Sequence, residues 1–225
     1  SWWGFETLPE VNEENPSYVE FITGEGGVID TWLRRGAAGF RLDVADELPD
    51  DFIEKIRAAV KRVSPEKFLL GEVWEDATTK YGFGQRRTYL LGKGLDSVMN
   101  YPFKNAVLDF VKGKPAEQAI GEILSICEHY PAPAMDTALN FLSTHDTERA
   151  LTVIADEPAN GRGREWQSGR CVVGEAYEEG MLRLRMAYAI IYTLPGLPCL
   201  YYGDEIGMQG YRDPFNRGYY CWDSH

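Results

Sequence analysis

Short apolar runs alternate with longer amphipathic stretches along this chain, and the two patterns predict different elements. The runs are rich in strand-forming residues and predict five buried strands, at 38–45, 67–73, 95–101, 139–144 and 197–203. The stretches between them repeat apolar residues at helical spacing. They predict helices at 49–63, within 103–129 in two pieces broken near 113–115, and at 178–194.

Two further segments lack a clear period. Residues 155–176 are rich in Gly, Arg and Glu and predict a long surface loop. Residues 1–27 are aromatic and turn-rich and do not resemble a strand. The regular part of the predicted fold therefore begins after residue 27.

Repeated strand–helix units imply parallel strands joined by right-handed crossovers. A doubly wound sheet usually carries a glycine-rich phosphate loop, and no GxGxxG or GxxxxGK[ST] follows any predicted strand. A (β/α)8 barrel instead places catalytic side chains at the C-terminal ends of several strands. Because acidic residues lie at such ends here, the barrel is the favoured architecture.

Three of these acids follow apolar runs: Asp43, Glu72 and Asp146. A carboxylate in a hydrophobic strand is costly unless it has a partner, so three of them predict a site on the rim of a parallel sheet. Neighbouring strands lie ~4.8 Å apart. The carboxyl groups of Asp43 and Glu72 are therefore expected ~5–5.5 Å apart, the separation of a retaining glycosidase pair.

The neighbours of the first two acids predict different roles. Arg41 lies two residues before Asp43 on the same strand face, and its charge favours the ionised carboxylate that a nucleophile requires. Glu72 is followed by Val73 and Trp74, and an apolar surround favours the protonated carboxyl that a general acid requires.

The third acid, Asp146, stands next to His145. A carboxylate there suits binding of sugar hydroxyls or stabilisation of an oxocarbenium-like transition state. The competing interpretation is that all three acids form structural ion pairs or helix caps.

The net charge of the chain limits the classes of molecule that it is expected to bind. Among 225 residues, 23 Lys and Arg against 35 Asp and Glu give a net charge of −12. This balance disfavours nucleic acids and anionic membranes and suits neutral substrates. No apolar stretch approaches the ~20 residues of a membrane helix. The N-terminus shows no basic-then-apolar signal. The cellular location stays open, with the cytoplasm favoured over secretion.

The cysteines and histidines do not predict a metal centre. The four cysteines are widely spaced without a CxxC pair and predict reduced, partly buried thiols. None of the three histidines has metal-ligand spacing to another. We therefore expect neither a protein-held transition metal nor an organic cofactor.

The segments around the three acids resemble signature regions of the α-amylase family, glycoside hydrolase family 13. They are GFRLDVA at 39–45, GEVW at 71–74 and FLSTHDTER at 141–149, which are similar to the second, third and fourth regions. Residues 3–12, 95–103, 196–208 and 213–223 look like further segments of neopullulanase-like and cyclomaltodextrinase-like members. Nearly the whole chain is covered.

The resemblance implies that residues 1–225 are one truncated catalytic domain. Residues 27–225 would supply strands four to eight of a (β/α)8 barrel with their helices, and residues 1–26 the loop segment before the fourth strand. The family's first signature and first strands have no counterpart here. We therefore expect little activity from these residues alone and self-association through the open barrel edges.

The resemblance also implies residue roles. Asp43 becomes the nucleophile, Glu72 the acid/base and Asp146 the transition-state stabiliser, while Arg41 and His145 support the sugar site. The implied enzyme is a retaining hydrolase of α-linked glucans such as maltooligosaccharides, pullulan, cyclodextrins or starch. Calcium occurs in many relatives, but its ligands come largely from segments without a counterpart here.

Additional substrate contacts are predicted at Glu47, Trp74 and Asn100. The alternative for Glu47 is a helix-capping acid, and the alternative for Asn100 is core packing. Trp2 and Trp3 suit stacking on a glucan, although packing against the barrel is favoured. Two rival functions stay open: a transglycosylase on the same scaffold, and an inactive fragment or binding module.

Overall fold

The computed structural model describes residues 4–222, and the chain divides into two compact units, residues 1–99 and residues 100–225. Asp223, together with Trp2 and Trp3 and their predicted contacts with a glucan, lies outside the described residues. The elements described in the first unit are α1 (Pro16–Thr23), α2 (Val28–Arg34), β1 (Gly39–Leu42), α3 (Asp50–Val63), β2 (Phe68–Gly71), β3 (Tyr81–Gly82), β4 (Gln85–Arg86) and β5 (Ser97–Val98).

The second unit is mainly helical. Its described elements are α4 (Tyr101–Val111), α5 (Ala116–His129), α6 (Ala132–Met135), β6 (Leu139–Asn140), α7 (Ala150–Ala155), α8 (Arg164–Ser168), α9 (Glu175–Thr193) and β7 (Leu197–Pro198). Helix α4 packs against α5, α7 and α9, and α7 also packs against α9. The Tyr101 and Phe141 rings meet edge to face in the core, with centroids 4.8 Å apart.

The five strands expected from the sequence pair in parallel, as predicted. In the first unit β2 lies between β1 and β5, and both neighbours run in its direction. In the second unit β6 pairs in parallel with β7. All five predicted strands are present, but each has only two to four paired residues. The first ends early because the chain turns sharply at Val44, whose φ is 45°.

Helix α3 joins β1 to β2 and shows why this sequence folds as a strand–helix–strand unit. Its apolar face is buried, and it consists of Phe52, Ile53, Ile56, Ala59 and Val60. The helix dipole is complemented by acids in the first turn, Asp50 and Asp51, and by bases in the last turn, Lys61 and Arg62. This helix and the predicted helices α4, α5 and α9 are confirmed within a few residues.

Asp96, just before β5, fixes the sheet of the first unit to α3. Its carboxylate accepts hydrogen bonds from Arg57 (2.6 Å), Lys61 (2.8 Å) and the backbone N–H of Leu69 in β2 (2.8 Å). Burial by itself would raise the pKa of Asp96, but the bonds from Lys61 and Arg57 outweigh it and lower the pKa. The ionised carboxylate is therefore part of the fold.

Several elements were not expected from the sequence. Helix α1 occupies a segment predicted as irregular, although Asn15 caps it through the backbone N–H of Ser17 and Pro16 opens it. Helix α8 falls in the predicted loop at 155–176. The β3–β4 hairpin turns at Phe83 and Gly84, both with positive φ. A phenylalanine at that position conceals the usual Asn-Gly or Asp-Gly signal.

None of the helices described between residues 4 and 222 is both long and apolar enough to cross a membrane.

Candidate active site

Asp43 and Glu72 occupy equivalent positions on neighbouring strands. In the parallel register of β1 and β2, Leu42 lies opposite Gly71, so the two acids come directly after paired residues. The backbone N–H of Glu72 donates to the carbonyl of Leu42 (3.0 Å), which extends the pairing by one residue. The predicted juxtaposition of the two strand ends is confirmed.

The residue before Glu72 has to be small. A Cβ atom at Gly71 would lie 2.2 Å from Cδ1 of Leu95, a core residue that is 2% exposed. Glycine therefore lets β2 approach this leucine closely and still end in the acid. A larger side chain would require either the buried Leu95 side chain or the strand end that carries Glu72 to move.

One guanidinium contacts both carboxylates. Nη1 of Arg41 contacts Asp43 Oδ1, and Nη2 lies 3.2 Å from Glu72 Oε2. The predicted shared face of Arg41 and Asp43 is confirmed by this ion pair. The environments of the acids differ, because the Asp43 side chain is 74% exposed and that of Glu72 only 7%. The open carboxylate faces solvent, while the buried one is held from several sides.

The surroundings of Glu72 correct the expectation of an apolar environment. The backbone N–H of Val44 donates to Glu72 Oε2 (2.7 Å), and the indole N–H of Trp74 donates to Oε1 (2.9 Å). The carboxylate accepts two hydrogen bonds and has the Arg41 guanidinium beside it as an ion-pair partner. Trp74 gives Glu72 a hydrogen-bond donor as well as an apolar ring. The surroundings of Glu72 are therefore polar at its carboxylate, not apolar as its sequence neighbours predict.

Val44 adopts a left-handed conformation, with φ 45° and ψ 51°. This region is strongly unfavourable for a β-branched residue, and strain of this kind occurs mainly at functional sites. The turn directs the Val44 N–H to the carboxylate of Glu72, and the next N–H, of Ala45, donates to the Glu72 carbonyl (3.2 Å). The chain after Asp43 is thereby fastened to the end of β2.

The loop after this turn is anchored by residues that the sequence did not indicate. Asp46 accepts a hydrogen bond from the Tyr89 hydroxyl (2.9 Å) and pairs with Lys80 (2.9 Å). Arg87, only 3% exposed, donates to the carbonyls of Asp46 (2.7 Å) and Leu48. Burial and the nearby Asp46 charge raise the pKa of Tyr89, so its hydroxyl remains a donor.

Glu47 is exposed on the short 3-10 turn Ala45–Glu47, inside this anchored loop. Helix α3, which follows, begins without a side-chain cap. The alternative that Glu47 caps this helix is therefore wrong. Its predicted contact with substrate stays a prediction.

Asp146 belongs to the second unit and lies in the loop between β6 and α7. His145 Nε2 is 3.0 Å from Asp146 Oδ2, and Arg217 Nη2 is 3.5 Å from Asp146 Oδ1. Arg217 also donates to the carbonyl of His145 (2.9 Å). Asp146 therefore has a histidine and an arginine beside it, and its side chain is 29% exposed.

The structure corrects the substrate contact predicted for Asn100. Its side chain is 0% exposed, caps α4 through the N–H of Phe103 (3.2 Å) and donates to Asn140 (2.9 Å). This agrees with the alternative of core packing, which the position at a strand end had obscured. Trp74, by contrast, is 41% exposed beside Glu72, and its substrate contact stays a prediction.

The described residues contain no group of three or more His, Cys, Asp or Glu side chains arranged to hold a metal ion. The four cysteines, Cys127, Cys171, Cys199 and Cys221, are free thiols. Burial raises the pKa of Cys127 and of Cys199. These two thiols are therefore poor nucleophiles and poor metal ligands in the neutral range.

The chain is similar to one family model and to several curated proteins of the amylase type. The family described as alpha amylase, catalytic domain, matches residues 2–223. An amylopullulanase from Thermoanaerobacter thermohydrosulfuricus is 34% identical over 250 residues, which cover 98% of this chain and 16% of the relative. A cyclomaltodextrinase from Bacillus sp is 34% identical over 228 residues, covering 98% of this chain and 34% of the relative.

The chain is also similar to a solved structure of an enzyme named for the hydrolysis of a cyclic maltosyl-maltose. Cyclic alpha-maltosyl-(1-->6)-maltose hydrolase from Arthrobacter globiformis, in complex with maltose, matches with a TM-score of 0.76 and 29% identity. The match covers 96% of this chain and 42% of that structure. The chain thus spans between 16% and 34% of the length of the two curated relatives.

Proposed function

The chain belongs to the alpha-amylase family, and from that premise we propose that the intact protein hydrolyses α-glucans with retention of anomeric configuration. The observation that carries the proposal is the parallel register that ends in Asp43 and Glu72, with Arg41 in contact with both. Substrates of the cyclomaltodextrin, pullulan and maltooligosaccharide type are favoured, since relatives bear names such as cyclomaltodextrinase and amylopullulanase.

In the proposed reaction Glu72 protonates the glycosidic oxygen while Asp43 attacks the anomeric carbon. The leaving sugar departs with that proton, and a β-configured glycosyl ester remains on Asp43. Glu72 then takes a proton from water, whose oxygen attacks the anomeric carbon and breaks the ester bond. The released sugar has the α configuration, and both carboxyl groups return to their starting states.

The contacts around the two acids support these roles. Arg41 forms an ion pair with Asp43, whose carboxylate is open to an incoming sugar. Glu72, by contrast, is buried at the end of the neighbouring strand, where it can pass a proton to the glycosidic oxygen. The donors at Glu72 fix the position of the group that transfers the proton.

The remaining assignments follow from the resemblance. Asp146 would stabilise the oxocarbenium-like transition state, with His145 as a sugar contact. Glu47 and Trp74 would contact substrate near the nucleophile and the acid. The predicted strands correspond, in this proposal, to strands four to eight of a (β/α)8 barrel.

Product stereochemistry tests the proposal. The intact protein is incubated with maltooligosaccharides, pullulan and β-cyclodextrin, and the first anomer released is identified by NMR before mutarotation. We expect the α anomer, and loss of turnover by about 10⁴-fold in D43N. The matched control D51N, at an exposed position in the first turn of α3, should keep its activity. A first product of β configuration, or no hydrolysis of any α-glucan, would refute the proposal.

A further inference from the structure

The loop that carries Asp146 is not held by a strand ladder. In the described part of the second unit, the pairing of β6 with β7 ends at Asn140, well before the acid. Within the loop, the Asp146 N–H donates to Thr144 Oγ1 and the Thr144 N–H donates to Thr147 Oγ1, both at 3.1 Å. These local bonds shape the loop but do not attach it to the rest of the unit.

Two neighbouring distant side chains attach it: Arg217 donates to the His145 carbonyl, and Asn216 makes the larger set of contacts. Its amide Nδ2 lies 2.8 Å from the carbonyl of His145, 2.8 Å from that of Thr147 and 3.3 Å from that of Thr144. An amide group has only two hydrogens, so the two shorter contacts are full bonds and the third is shared. Carbonyls on both sides of Asp146 are therefore held by a single group.

The orientation of this amide is set entirely by the loop. Asn216 is 0% exposed, and its Oδ1 is buried without a hydrogen-bond partner among the described residues. An orphaned carbonyl oxygen in the interior is costly. The N–H groups of the amide face the loop carbonyls in this orientation. In the flipped orientation Oδ1 would face those carbonyl oxygens, which is less favourable.

Asn216 is itself held by a series of buried side-chain contacts. Arg149, fully buried, donates from Nε to the Asn216 carbonyl (3.0 Å) and pairs with Asp204 (3.1 Å). The Tyr188 hydroxyl from α9 donates to the same Asp204 carboxylate (2.6 Å). A chain of buried contacts thus runs from a long helix to the loop that carries the acid.

From this chain of contacts we propose that Asn216 is a positioning residue for Asp146. It holds the loop backbone so that the Asp146 carboxylate keeps one place within its unit, next to His145 and Arg217. The proposal rests on the proposed function, because positioning has a kinetic meaning only if Asp146 acts in the reaction. A purely structural Asn216 would affect stability without a specific effect on turnover.

Kinetics of the intact protein separate these two cases. N216A removes both donors, and N216D is isosteric but places an oxygen against the loop carbonyls. We expect both to lower kcat by about 10- to 100-fold with KM within about threefold, because small displacements of catalytic groups have effects of that size. The matched control is N140A, which also removes a fully buried amide, one that donates to the Pro195 carbonyl (2.7 Å). It should lower thermal stability but keep kcat within about threefold.

Hydrogen exchange supplies a readout that does not depend on activity. In N216A the amides of residues 144–147 should exchange at least about tenfold faster than in wild type, and in N140A they should not. Unchanged exchange in N216A, or faster exchange with wild-type kcat, would overturn the positioning role. If wild type fails to hydrolyse any α-glucan, the proposed function is wrong, whereas the exchange result still decides whether Asn216 holds the loop.

Discussion

Two regions of this molecule place acids in different ways. In the first unit, Asp43 and Glu72 stand at matching positions because β1 and β2 pair in register. In the second unit, Asp146 lies beyond the paired part of β6, and the loop around it is held through Asn216. Backbone pairing fixes the first pair, and side-chain hydrogen bonds from a distant segment fix the third acid.

The difference extends to the charges beside the acids. One guanidinium, that of Arg41, serves both carboxylates of the first unit. Asp146 has two partners of its own, His145 and Arg217. A single substitution in the first unit should therefore disturb two acids at once. In the second unit Asn216 can be altered without removing the Arg217 cation, which itself also donates to the His145 carbonyl.

Among the substitutions that test this comparison, those of Arg41 should have the largest effect. R41M should lower kcat/KM by about 10²- to 10³-fold, since it removes the cation from both Asp43 and Glu72. R41K should recover only part of this loss, because an ammonium cannot span two carboxylates as a planar guanidinium does. The measurement is steady-state hydrolysis of a chromogenic maltoside by the intact protein.

The control for Arg41 is R34M. Arg34 is an exposed cation that pairs with the buried carboxylate of Asp30 in α2 rather than with Asp43 or Glu72, so its loss should change kcat/KM by less than about twofold. Wild-type kcat/KM in R41M would contradict the idea that one cation serves both acids.

A second prediction tests whether the sheet of the first unit depends on Asp96. D96N should lower the free energy of unfolding at neutral pH by about 2–4 kcal/mol, because it leaves Arg57 and Lys61 without their shared partner. The pKa of Asp96 is lowered in the fold. Its stabilisation is therefore complete above the ordinary carboxyl pKa of about 4 and is lost as the pH falls below it.

Urea unfolding as a function of pH measures this effect. The difference between wild type and D96N should be large at pH 7 and shrink as the pH falls towards 3. The control E75Q removes an exposed partner of Lys80 and should cost less than about 1 kcal/mol. A difference that stays constant with pH would show that the charge of Asp96 is not what stabilises the sheet.

The smallest expected effect concerns the left-handed turn at Val44. Glycine adopts positive φ without strain, whereas alanine does not. V44G should therefore be more stable than V44A by about 1 kcal/mol. Thermal unfolding of the two variants checks this difference. Equal stability would mean that the turn relaxes and that its strain does not hold the Val44 N–H at Glu72.

The sequence predicts the region built by backbone pairing far better than the region built by side chains. Asp43 and Glu72 could be paired in advance because both follow apolar runs, and parallel register brings such ends together. Arg41 could be placed because side chains two residues apart share a strand face. These features are local or follow from strand pairing, so the pattern contains them.

The features that the sequence missed depend on distant partners. Arg87 and Tyr89 anchor the loop after Asp43, and they directly follow a hairpin that carries no usual turn signal. Asn216 bonds to a carbonyl 71 residues earlier in the chain. The substrate contact predicted for Asn100 is wrong because an asparagine after a strand suits helix capping as well as substrate binding, and here it caps α4. No local pattern distinguishes these roles.

Trapping of the covalent intermediate tests the central claim, that Asp43 and Glu72 form a nucleophile and acid/base pair. The intact protein is inactivated with a 5-fluoro glycosyl fluoride of the α-glucose series, digested, and the labelled residue is identified by mass spectrometry. The account predicts one label, on Asp43, and its absence in D43N. A label on Glu72 or on a residue outside the first unit, in an enzyme that turns over the unfluorinated substrate, would contradict it.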